Sequence, residues 1–117
     1  MEIRNVCEFI IDIKNIRNSE LLTKWKMDTL ISIIIDKLGL NVINRMYYSF
    51  DLGCSISYFL KEGHLNLCAV PNQKACFINI FFNNYNLEGL PILHEIEHFL
   101  NVESDDIICD VVCRGCL

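Results

Sequence analysis

Apolar and polar residues alternate along much of this chain with the two-residue period of half-buried β-strands. Turn-forming pieces such as FDLG, EG and PNQK interrupt the alternation and divide it into short segments. The pattern, together with many β-branched and aromatic residues, therefore predicts six strands, at residues 3–14, 41–49, 53–61, 63–70, 75–82 and 106–113.

Two segments instead have the 3.6-residue period of helices. The first, residues 19–38, follows the capping residue Asn18 or Ser19, precedes Gly39, and spaces its apolar residues as a core-facing stripe. The second, residues 91–100, begins with a proline, which the first helical turn tolerates. The order β-α-β-β-β-β-α-β predicts a two-layer α/β sandwich, with a mainly antiparallel sheet and both helices on one face.

The composition places this fold in one soluble domain. At 117 residues, the chain is expected to form a single domain over residues 1–117. Hydrophobic residues make up 52%, yet no apolar run approaches the roughly 20 residues that span a bilayer. The first residues, MEIRNVCEF, lack the order of a signal peptide, so a cytoplasmic protein is expected. The net charge of −5, without a basic patch, argues against nucleic acid as a partner.

The seven cysteines do not suggest a disulfide framework, because their number is odd and no secretion signal precedes them. Free thiols in a reducing compartment are the expectation. Cys109, Cys113 and Cys116 have the spacing of half a metal site, but they lie in the alternating segment of the last predicted strand. We therefore expect no metal there.

Residues 94–98, HEIEH, match the H-E-x-x-H motif, which places two histidines on zinc with a glutamate as general base. Glu97 puts a charge where zinc proteases usually carry an uncharged residue. Glu103 or Asp106 could supply a third ligand, but a solvated helix face explains the segment more simply. The sequence predicts no zinc site.

The segment LKEGHLNLCAVP, residues 60–71, carries the most suggestive polar residues. Alternation puts His64, Asn66 and Cys68 on one strand face, which could line a site. His64 and Cys68 are about 13 Å apart along the strand, too far to share a proton directly. Gly63 occupies a position where a strand would prefer a side chain.

Residues 62–84, EGHLNLCAVPNQKACFINIFFNN, resemble the signature of the bacterial-type S-adenosylmethionine decarboxylases. The shared positions are Glu62, His64, Leu65, Leu67, Pro71, Ile78, Ile80 and Phe81. The resemblance extends over the whole chain, because the first strand, the long helix, the GCSIS segment, the proline-led helix and the final strand follow in matching order.

In this family the serine after the glutamate becomes a pyruvoyl group, which forms a Schiff base with the substrate amine and acts as an electron sink. The conversion needs a β-carbon that bears oxygen, and Gly63 has none. The resemblance also places the processing histidine at Cys68 and the proton-donating cysteine at Asn83. The sequence thus predicts a protein without pyruvoyl and without decarboxylase activity.

Other positions of the resemblance are retained or remain open. Ser55 matches a serine that assists processing, while Glu62 and His64 are unchanged. Ligand-binding positions of the family correspond to Glu62, to Asn72 in place of a glutamate, and to Tyr48 or Phe50 as the aromatic residue that stacks on adenine. These residues are the candidate ligand site.

Three functions follow from the resemblance. The chain could be a catalytically degenerate decarboxylase-like protein that binds S-adenosylmethionine or a polyamine, or that modulates an active partner of polyamine metabolism in a homodimer or heterodimer. It could instead be a different S-adenosylmethionine-using enzyme on the same scaffold, cleaving without pyruvoyl. A ligand-free interaction protein is the third alternative.

Overall fold

Strands and helices form in the order that the hydrophobic pattern predicts. The computed structural model describes residues 4–82 and 90–116, and the side chains of residues 6–82 and 92–112. The strands are β1 (Arg4–Ile13), β2 (Val42–Phe50), β3 (Gly53–Leu60), β4 (Gly63–Val70), β5 (Ala75–Phe82) and β6 (Ile107–Cys116), and the helices are α1 (Lys24–Leu38) and α2 (Leu90–Leu100).

The long helix begins later than predicted. Residues Ser19–Leu22 form a short 3₁₀ turn instead, capped by the Asn18 side chain, which accepts a hydrogen bond from the Glu20 N–H. Thr23 then adopts an extended backbone and caps α1 through its hydroxyl, so the first helical residue is Lys24. The helix ends as predicted at Gly39, whose φ of 65° lies in the left-handed region.

All neighbouring strands of the sheet are antiparallel. The strand order is β2-β3-β4-β5-β1-β6, so the first strand of the chain lies between β5 and β6, while β2, β3, β4 and β5 form a meander. The segments with a two-residue period thus form one sheet, and those with a 3.6-residue period form helices on one side of it, as in the predicted two-layer α/β fold.

The helix-covered face of the sheet is the hydrophobic core. Alternate residues of β1, β4 and β5 point toward α1 and α2 and are almost fully buried, among them Ile11, Leu67 and Ile78. Phe9 and Phe82 meet edge to face, with ring centroids 5.4 Å apart. No charged or polar residue of the described part of the chain is buried in this layer.

No helix covers the opposite face within the described residues. Phe59 and Phe77 are exposed there, while the polar residues of the central strands are half-buried among their neighbours. Among the residues that the structure describes, no helix is both long enough and apolar enough to cross a membrane.

Candidate functional site

The polar residues of β4 lie on the uncovered face, as predicted, and the register extends this polar character across the sheet. Asn66 lies opposite Ser57 on β3 and opposite Asn79 on β5. Because directly opposed residues of antiparallel strands share a face, these three side chains form a row, here called the amide row. Within the described residues, none of the three side chains has a hydrogen-bond partner, so their donors and acceptors are available.

An aromatic row runs beside the amide row. His64 lies opposite Phe59 and Phe81, and its ring stacks on that of Phe81 with centroids 5.1 Å apart and an interplanar angle of 12°. A flat aromatic surface next to free amides is suited to a planar ring or to an alkylated cation.

Carboxylates of β1 and β6 lie beyond the amide and aromatic rows, on the side of β5 away from β4. Glu8 on β1 lies opposite Phe81, and Asp12 lies opposite Phe77. Asp110 on β6 lies opposite Ile10, which continues the amide row. A small cleft of about 110 Å³ opens between Glu8, Phe81 and Val112. Among the described side chains, the uncovered face therefore carries carboxylates and aromatic rings, and both favour cationic ligands.

Glu62 has a structural partner that the sequence analysis did not identify. Its carboxylate accepts hydrogen bonds from the Asn41 backbone N–H at 2.8 Å and from Asn41 Nδ2 at 2.9 Å. Partial burial acts to raise the pKa of Glu62, but the hydrogen bonds from Asn41 outweigh it, so the pKa lies below its ordinary value. Glu62 is thus an ionised carboxylate that ties the β3–β4 turn to the start of β2.

Gly63 begins β4 in very close contact with the neighbouring strand. A β-carbon at this position would overlap the carbonyl oxygen of Phe81 and would lie 2.8 Å from the Phe82 α-carbon. These are backbone atoms of a central strand and cannot move away as a flexible side chain can. The residues present do not fit a pyruvoyl group, because the backbone here leaves no room for the side chain from which that group is made.

Ser55 and Cys68 lie opposite each other, also on the uncovered face. Along β4, Cys68 is about 17 Å from Gly63, because each residue of a strand advances the chain by about 3.4 Å. Burial raises the pKa of Cys68, so its sulfur is held as a thiol. The predicted site residues therefore form two groups at opposite ends of one face.

The candidate ligand-binding residues are divided in the same way. Tyr48 and Phe50 stack at the Ser55 end, with centroids 6.3 Å apart. Asn72 is exposed in the short turn Pro71–Gln73 after β4 and is at that end too. Glu62 and His64 are at the other end. Asn83 lies outside the described residues, so its predicted role stays a prediction.

The H-E-x-x-H segment lies on α2. Its Glu95 forms an ion pair with Lys37 of α1, with 3.5 Å between Oε1 and Nζ, and exposed His94 lies 3.9 Å from Glu97. The segment thus lies on the surface of the helix and has one ion pair to α1. Within the described part of the chain, no three side chains of metal-ligating type converge on one point.

Asn79, Phe81 and Asn41 belong to the site although sequence reasoning gave them no role. Asn79 and Phe81 could have been found from the meander of β4 and β5, since their alternation places them on the face of His64 and Asn66. Asn41 could not, because its contact with Glu62 joins residues 21 apart through the turn geometry of two strands.

The fold has a known counterpart. The crystal structure of the adenosylmethionine decarboxylase from Aquifex aeolicus superposes with a TM-score of 0.80 over 100% of this chain and 95% of that one, at 14% sequence identity. No protein-family model matches the sequence, and no curated protein matches it either. The chain thus has the fold of an S-adenosylmethionine decarboxylase, and at this identity the likeness concerns the fold.

Proposed function

We propose that this chain is a decarboxylase-like protein that does not process itself and instead binds S-adenosylmethionine or a polyamine on its uncovered face. The observation that carries the proposal is Gly63: the position of the family's pyruvoyl-forming serine holds no β-carbon and leaves no space for one. The close approach of the β5 backbone to Gly63 supports a protein that does not form a pyruvoyl group.

Charge and shape support a cationic ligand. The sulfonium of S-adenosylmethionine and the ammonium groups of a polyamine both match a surface with Glu8, Asp12 and Asp110 at its border. Phe81, stacked under His64, offers a ring face to such a cation or to adenine. The free amides of Asn66 and Asn79 can hydrogen-bond a carboxylate or a purine edge.

The division of the site supports pairing with a second chain. Ser55 and Cys68 are at one end of the uncovered face, and His64 is at the other, next to Glu62 and Gly63 in the chain. A second copy, or an active relative, packed over this face in the reverse direction would bring the two groups together. Pairing would also cover Phe59 and Phe77, which are exposed in the single chain.

Binding is tested by thermal unfolding of the purified protein with S-adenosylmethionine, spermidine, or neither. A ligand at 100 times its Kd stabilises the folded state by about 2.7 kcal/mol, so we expect a rise of several degrees in Tm. The variant Asn79→Leu should lose the rise, whereas Thr29→Ala, on the exposed side of α1, should keep it.

Mass spectrometry of the same samples separates the remaining functions. An intact chain and unchanged S-adenosylmethionine are expected. Cleavage between Glu62 and Gly63 would contradict the proposal, and formation of methylthioadenosine would replace it with a pyruvoyl-independent cleavage enzyme. No thermal response to any adenosyl compound or polyamine would leave the interaction protein as the better assignment.

A further inference from the structure

The edge strand β2 carries five of the twelve large hydrophobic side chains that are exposed among the described residues. Its alternate residues Arg45 and Tyr47 lie on the helix side of the sheet, on the opposite face from the site above. Every residue from Val42 to Ser49 is exposed. Ile43 is 70% exposed, and Trp25, at the start of the neighbouring helix α1, is 76% exposed. Apolar patches of this kind on a soluble protein mark interaction surfaces.

The free edge of β2 presents backbone donors. The Arg45 N–H does not bond to β3 but donates to the Asn44 side-chain oxygen at 2.8 Å, which therefore stands where the carbonyl of a further strand would be. Hydrogen-bonded and non-hydrogen-bonded pairs alternate along an antiparallel ladder, so the N–H groups of Tyr47 and Ser49 also point away from β3. An edge of this length without proline is a template for strand addition.

A groove runs between this edge and α1, on the helix side of the sheet. The Trp25 cleft, about 370 Å³, is lined by Lys24, Trp25, Asp28, Arg45 and Tyr47. The Ile35 cleft, about 380 Å³, is lined by Ser32, Ile35, Asp36, Val42 and Ile43 on the other side of Arg45. Tyr58 separates the two clefts. Its hydroxyl donates a hydrogen bond to Asp28 at 2.9 Å and accepts one from Arg45 at 3.5 Å.

The two clefts differ in charge and polarity. In the Trp25 cleft, Lys24 and Arg45 outnumber the carboxylate of Asp28, and the Lys24 Nζ lies 4.3 Å from the centroid of the Tyr47 ring. The Ile35 cleft has the aliphatic side chains of Ile35, Val42 and Ile43 in its lining, and its two charged residues, Asp36 and Arg45, are of opposite sign. The first cleft suits an acidic side chain and the second an aliphatic one.

We propose that β2 and α1 form a peptide-binding groove that receives an extended segment of another protein as a seventh strand, with an acidic residue in the Trp25 cleft and an aliphatic residue two positions later in the Ile35 cleft. Residues opposite Tyr47 and Arg45 in an antiparallel pair point to the helix side, about 6.8 Å apart, which matches one side chain for each cleft. Strand addition supplies main-chain hydrogen bonds, and the clefts supply specificity.

Peptide binding can be followed by the fluorescence of Trp25, because it is the only tryptophan of the chain. The probe is the capped peptide acetyl-Thr-Lys-Glu-Thr-Val-Lys-Thr-amide, which has no aromatic residue. We expect saturable binding, seen as a blue shift of tryptophan emission and weaker quenching by acrylamide. Lys24→Gln should weaken binding about tenfold, since it removes a charge-assisted hydrogen bond, and the exposed Lys26→Gln should not.

Backbone pairing is tested separately from charge. Ser49→Pro removes an outward N–H that the β2–β3 ladder does not use, so the protein should fold and bind the peptide at least tenfold more weakly. The same peptide N-methylated at Glu and Val should not bind. Equal binding of the methylated peptide, or no saturable response of the wild-type protein, would overturn the proposal. A dimer that Ser49→Pro abolishes, without a peptide response, would overturn it too and assign the edge to a second copy.

Discussion

The two faces of the sheet are built by the same strands and have opposite properties. On the helix-covered face Leu65, Leu67 and Ile80 are fully buried. One residue away, His64, Asn66 and Phe81 are half-buried on a surface that no helix covers within the described residues. The two-residue alternation therefore buries apolar side chains on one face, which stabilises the fold. It leaves polar and aromatic side chains on the other face, where a ligand can contact them.

The largest expected effect is in the core. Leu67→Ala should lower the free energy of unfolding by about 3–4 kcal/mol, because it leaves a cavity in a fully buried layer. Asn66→Ala, the adjacent residue on the other face, should change it by less than about 0.5 kcal/mol. Urea unfolding followed by circular dichroism measures both. Similar losses for the two variants would show that the uncovered face is also a packed layer.

Gly63 contributes no side chain to either face, and the β5 backbone occupies the space that a β-carbon at this position would need. Gly63→Ser should lower the free energy of unfolding by roughly 2–3 kcal/mol through overpacking, and the chain should stay uncleaved. Gly63→Ala, which lacks the hydroxyl, should be equally destabilised. Calorimetry and intact mass test this pair. A stable serine variant that splits into two chains would mean that the backbone still accommodates the processing residue.

At the border of the core, Tyr58 joins the buried layer to a surface carboxylate. It is 3% exposed, and burial raises its pKa, so its hydroxyl remains protonated and donates to Asp28. Tyr58→Phe should reduce the free energy of unfolding by about 1 kcal/mol, the net value of one hydrogen bond. Asp28→Asn is the matched change, and the double variant should show that the two effects are coupled.

The smallest expected effect concerns pH and the turn that precedes Gly63. The folded-state pKa of Glu62 lies below its ordinary value of 4.5. Its contribution to stability is therefore present above that value and is lost as the pH falls through the folded-state pKa. At neutral pH, Glu62→Gln should lower the free energy of unfolding by about 0.5 kcal/mol, and the difference should shrink toward pH 3. Asn41→Ala should show the same pH dependence, and a difference that is independent of pH would argue against the hydrogen-bonded carboxylate.

The strands, helix α1 and the polar face of β4 show which parts of the fold could be predicted from the sequence. The strands and the end of α1 follow from local rules, since alternation and Gly39 act over a few residues. The start of α1 could not be predicted in this way. Thr23 competes with Asn18 as the cap, and the residues that follow each of the two are compatible with a helix. The face of His64, Asn66 and Cys68 was predictable from alternation alone.

The sequence by itself determined the order of elements, the polar face of β4 and the absence of a hydroxyl at Gly63, because each is a property of neighbouring residues. Only the tertiary structure decided that Asn79 and Phe81 join that face, that Asn41 holds Glu62, and that β5 fills the space beside Gly63. It also decided that Ser55 and Glu62 lie at opposite ends of the sheet surface. Such relations depend on strand register and on distances between segments remote in the chain, which only packing of the whole sheet sets.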